Sequence, residues 1–77
     1  MKSENRVSLE NIAKRYNAAI TTGKVKQIRE VATEAHQSVL QTIKNIEATQ
    51  PVEDDLLQQA NTLFLDIRMG RASTIPI

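Results

Sequence analysis

Apolar residues recur along this chain at alternating steps of three and four, and two short breaks interrupt the pattern. Its longest unbroken run is KVKQIREVATEAHQSVLQTIKNIEA, Lys24 to Ala48, which contains neither Gly nor Pro. Val25, Ile28, Ala32, Ala35, Val39, Ile43 and Ile46 make a seam there, widened by Val31, Leu40 and Thr42. That spacing places them on one face of a helix spanning on the order of 35 Å. The seam has the spacing of a coiled coil over about three heptads. Its central alanines admit another helix at close range.

The flanking segments carry the same periodicity. Leu9, Ile12, Ala13, Tyr16, Ala19 and Ile20 predict a first helix over about 8–22, with Ser8 as its N-cap and Val7 against Ile12 as a hydrophobic staple. Residues 1–6 are polar and expected to fray. Gly23 follows two threonines and suits a left-handed helix stop, which predicts a sharp corner into the second helix over 24–48. Pro51 suits the first turn of a third helix over 51–69. There Glu53, Asp54 and Asp55 complement the helix dipole, and Gly70 is the stop. Val52, Leu56, Leu57, Ala60, Leu63, Phe64 and Ile67 supply its apolar face. The tail, RASTIPI over 71–77, contains Pro76 and β-branched residues and is expected to be flexible. The predicted fold is a single all-α domain, a small three-helix bundle in which helices two and three form an antiparallel hairpin.

Composition sharpens this picture in one respect. A chain of 77 residues buries only about 60% of its unfolded surface, and so small a core supplies about 3–5 kcal/mol. With no Cys, disulfides, thiolate-bound zinc and a cysteine nucleophile are all excluded. Self-association, most simply as a homodimer, is the expected source of further stability. The second helix is longer than the first, so its C-terminal end is expected to be covered by helix three alone. Leu40, Ile43, Ile46, Leu57, Phe64, Ile75 and Ile77 are therefore the candidate partner interface, whereas Val25 and Ile28 are expected to be structural.

The net charge of +1 conceals an uneven distribution. Residues 11–29 include Lys14, Arg15, Lys24, Lys26 and Arg29 and no acid. The segment IAKRYNAAITTGKVKQI resembles a helix-turn-helix reader, in which the start of the second helix meets base edges and flanking cations hold phosphates. The competing explanation is that these cations are the solvated faces of two amphipathic helices. No apolar run approaches the roughly 20 residues that span a bilayer. The polar start MKSENRVSLE has no signal-peptide apolar region, so a cytoplasmic location without a membrane partner is expected.

Catalytic chemistry finds little to work with. His36 has no recognisable nucleophile or orienting acid, and Glu30, Glu34 and Asp66 do not stand at ligand spacing around it. Glu53, Asp54 and Asp55 lack the glycine and spaced oxygens of a calcium loop. The expectation is a non-enzymatic helical protein-protein interaction factor (an adaptor, antagonist or regulator) without metal or cofactor, acting as a homo-oligomer. The alternative is a DNA-binding transcriptional regulator that uses the basic corner.

Overall fold

The computed structural model describes residues 3–75 and consists, over that range, of three helices: α1 (Glu4–Thr22), α2 (Val25–Ala48) and α3 (Asp54–Met69). They form a small all-α bundle, 40 × 20 × 16 Å. Its core joins Leu9, Ala13 and Tyr16 of α1 to Ala35, Val39 and Ile46 of α2 and to Leu56, Ala60, Leu63 and Ile67 of α3. Small residues on all three helices let the backbones approach closely, and Tyr16, Leu9, Ile46, Leu56 and Leu63 fill the space between them.

α1 begins a full turn earlier than the apolar pattern predicts. Its N-cap is Ser3, not Ser8; the Ser3 hydroxyl accepts from the Arg6 amide at 3.2 Å, and Glu4 stands in the first turn. Residues 4–6 are thus helical rather than frayed. Val7 lies within the helix, 43% exposed, and makes no staple. Gly23 ends α1 at φ 69°, its amide donating to the Ile20 carbonyl at 3.2 Å. Only Gly23 and Lys24 separate α1 from α2. The chain reverses there, since Arg15 pairs with Glu34 and a cleft is shared by Asn11, Ile12, Val31 and Ser38.

The extra turn changes which end of α2 is left uncovered. Ser3, Glu4 and Asn5 line one cleft with Asn45, Ala48 and Thr49, so the start of α1 lies beside the end of α2. Ile46 is fully buried as a result. α3 has 16 residues against the 24 of α2 and runs back along it, with Phe64 against His36. It stops short of the start of α2. The exposed end is therefore the N-terminal one, where Val25 is 63% exposed and Ile28 half-buried; Val25 is not the structural residue its pattern implies.

α3 starts at Asp54, with Glu53 as its N-cap, rather than at Pro51. Val52 is drawn against the core, so the chain turns into the helix only after it. Gly70 ends α3 at φ 71°. The Gly70 amide donates to the Ile67 carbonyl and the Arg71 amide to the Asp66 carbonyl, both at 3.1 Å. This is the paired-bond stop that satisfies the Asp66 and Ile67 carbonyls of the last turn.

The segment after Gly70, expected to be flexible, packs back on the bundle through Ile75. Asp66 is a fully buried carboxylate. It accepts from Thr74 twice, from the amide at 2.8 Å and the hydroxyl at 2.9 Å, and from Arg71 Nε at 2.7 Å. Asn17 of α1 accepts from the Ser73 amide at 2.8 Å, and Ile75 packs against the core. Residues 71–75 thus form a strap that ties α3 to α1.

Candidate functional site

Helical register determines what the α2–α3 pair presents on the side away from α1. Along α2, Arg29, His36, Leu40, Ile43 and Glu47 follow one another at steps of three, four or seven, and so share a face. Along α3, Asp54, Leu57, Asn61, Phe64 and Arg68 do the same. The two stripes lie side by side, because the His36 and Phe64 rings meet at 4.8 Å between centroids. Antiparallel helices keep step, so Ile43 stands opposite Leu57 two turns away. Arg68 extends over the other part of the Phe64 ring at 5.7 Å, a contact of the cation–π kind.

The middle of this face is apolar and incompletely covered. His36, Ile43, Leu57 and Phe64 are half-buried, and Leu40 is 39% exposed. Leu65, 51% exposed, adjoins the α3 stripe. Of the residues named from sequence as a partner interface, Leu40, Ile43, Leu57 and Phe64 thus come together. Ile46 does not join them; it points into the core between α1 and α3 and is closed to any partner. Ile75 lies at the other end of the bundle against its own core, and Ile77 falls outside the described residues.

The ends of the same face carry opposite charge. Arg29 and Arg68 stand at the end formed by the start of α2 and the finish of α3, and Glu47 and Asp54 at the other. All four are exposed, and none is in an ion pair among the described residues. The wider molecule follows this division. The up-down-up order gathers Lys14, Arg15, Lys24, Lys26, Arg29, Arg68 and Arg71 toward one pole, with Glu30 and Glu34 among them, and Glu4, Glu47, Glu53, Asp54 and Asp55 toward the other, with Arg6 and Lys44 among them. The composition, nearly neutral overall, gave no sign of such a division.

The basic residues named from sequence, Lys14, Arg15, Lys24, Lys26 and Arg29, are all exposed. Arg15 is partly neutralised by Glu34, and Glu30 and Glu34 line the same depression as Lys24, Lys26 and Gln27. α2 opens on Lys24 with no side-chain cap and no acid in its first turn, an unfavourable start for a helix dipole. α1 and α2 lie antiparallel, whereas a helix-turn-helix sets its helices at about 90–120°.

The apolar cleft between α1 and α2 is small. Lined by Asn11, Ile12, Arg15, Glu34 and Ser38, it has a volume of about 140 Å³, below the roughly 300–1,000 Å³ of ligand pockets. Among the described residues, no group of three or more His, Asp or Glu side chains is placed to hold a metal ion. No described helix is long and apolar enough to cross a membrane. Burial raises the Tyr16 phenol above its usual range, and the Asp66 charge adds to that. Burial pushes Asp66 upward, but the Thr74 amide, the Arg71 side chain and the Thr74 hydroxyl together pull its carboxyl below the ordinary range. Both groups are buried in the bundle, Asp66 where the strap docks, and neither lies on the α2–α3 face.

What these features define is a class: a small three-helix bundle with a strap-closed end and one uncovered two-helix face. Compared with protein-family models, curated proteins and solved structures, the chain matches none.

Proposed function

We propose that this chain is a non-enzymatic helical interaction protein that works through its α2–α3 face and associates with itself there. The observation that carries the reading is the convergence of Leu40, Ile43, Leu57 and Phe64 on one uncovered face, after the core has already enclosed Ile46 and Val39. A bundle of this size gains stability from covering such a face. The polar rim around an apolar centre is the usual layout of a protein-protein interface. Sedimentation equilibrium of the full chain tests it: a concentration-dependent rise above monomer mass is expected, and Leu40→Asp should abolish it while leaving the helical circular dichroism unchanged. Association that survives Leu40→Asp undiminished assigns the contact to some other surface. The basic pole is the feature that nucleic acid would use, and the antiparallel α1–α2 pair, unlike a helix-turn-helix, weighs against that reading.

A further inference from the structure

We infer that the α2–α3 face takes a second copy of this chain in the antiparallel sense, about a two-fold axis near Leu40 and Asn61. The inference rests on the reading above and adds the partner's orientation and the residues that set it. Charge along the face supplies the argument. Arg29 and Arg68 close one end, Glu47 and Asp54 the other, and the apolar residues lie between. A two-fold axis across the middle lays each copy's arginines on the other's carboxylates, twice over, while the Leu40, Ile43, Leu57 and Phe64 patches meet at the centre.

A two-fold contact is self-complementary by construction, and the four end charges are antisymmetric about the midpoint of the face, although the exposed Lys44 lies beside Glu47 on the acidic half. The parallel arrangement would set arginine against arginine and carboxylate against carboxylate, and like charges brought together oppose it. Among the described residues none of the four end residues is engaged in an ion pair, so pairing with a partner breaks no such contact there. His36, set on the Phe64 ring, lies inside the patch, between the arginine end and Leu40.

Charge exchange in the full chain tests the inference. Two variants are made, Arg29→Glu with Arg68→Glu, and Glu47→Lys with Asp54→Lys. The first carries acid at both ends of the face, the second base at both. Each alone should self-associate at least about tenfold more weakly than the wild type, and an equimolar mixture should recover association as a heterodimer. Raising salt should weaken the wild-type dimer, because rim charges are screened; a parallel dimer would tighten instead.

The outcomes separate cleanly. Loss of association with Leu40→Asp, but no loss in the charge variants or no recovery on mixing, leaves the face as an interface and overturns the antiparallel orientation. Indifference to Leu40→Asp overturns both. A wild-type chain that stays monomeric also overturns both, whether or not an added DNA duplex binds Arg29 and Arg68.

Discussion

Asp66 offers the most demanding test of how this small bundle is closed. Its carboxylate is fully enclosed, yet only the strap of residues 71–75 separates it from solvent. Replacing it by Ala removes the acceptor for the Thr74 amide and hydroxyl and for Arg71 Nε. A hydrogen bond to a charged group contributes about 1.5–3 kcal/mol net. Simple addition overstates the loss, because the released strap regains water and conformational freedom, and Arg71 is already half exposed. The effect is then bounded by the cost of detaching the strap with Ile75, and we expect about 2–3 kcal/mol. For a domain of this size that lowers the melting temperature by about 10–20 °C.

Asp66→Asn isolates the charge. The amide keeps the shape but presents an N–H₂ group to donors, so most of the loss should persist. Its pH dependence follows from linkage. The folded-state pKa of Asp66 lies below its unfolded value of 3.8. Its contribution is therefore fully present above the unfolded value and is lost as pH falls through the folded one. Urea titrations of wild type and Asp66→Asn at a series of pH values should show a gap that is constant near neutrality and narrows below about pH 4. A gap under about 0.5 kcal/mol at pH 7, or one as large at pH 2 as at pH 7, would show that the carboxylate does not hold the strap.

Other predictions divide core from face. Ile46→Ala should destabilise the monomer by about 2–5 kcal/mol in chemical denaturation, whereas Leu40→Ala should cost under about 1 kcal/mol; equal effects would put Ile46 back on the surface. Ser3→Ala should lower stability by about 0.5–2 kcal/mol, and Ser8→Ala by much less, since Ser3 is the cap. Gly70→Ala should cost about 1 kcal/mol or more, because Gly70 is left-handed at φ 71° although open space surrounds it.

The number of helices, their breaks and most of their buried residues were legible in sequence because periodicity and glycine stops are local signals. Gly23 and Gly70 mark helix ends in both the pattern and the fold. The start of α1 was not legible: Ser3 and Ser8 are both good caps, and only the reach of α1 alongside Ala48 distinguishes them. The strap was missed for a related reason. Proline and β-branched residues argue against helix, and they say nothing about whether an extended segment is held. Asp66 reads as one more polar position on α3, and its partners at Arg71 and Thr74 lie beyond the helix stop. The signal that was available is a charged residue at a core-facing position, followed by an arginine and a threonine just past a glycine.

The face itself was half legible, and the missing half bears most on function. Sequence spacing names Leu40, Ile43, Leu57 and Phe64, but by the same logic it also names Ile46. Only the true length of α1 moves Ile46 into the core and shifts the uncovered end of α2 from Ile46 to Val25. Charge was less legible still. In chain order Arg29 reads as the end of a basic stretch and Asp54 as part of an acidic helix start, while Glu47 and Arg68 stand alone, and nothing there relates the four. They become a pattern once α2 and α3 are laid antiparallel in the register that the His36–Phe64 contact sets. The two arginines then share one end and the two acids the other. A hairpin of two helices with base-to-acid order on the first and acid-to-base order on the second yields such a face when the charges fall on the stripe the two helices share. The polarity of the surface is therefore encoded in the chain, but in the relation between two segments rather than in either one.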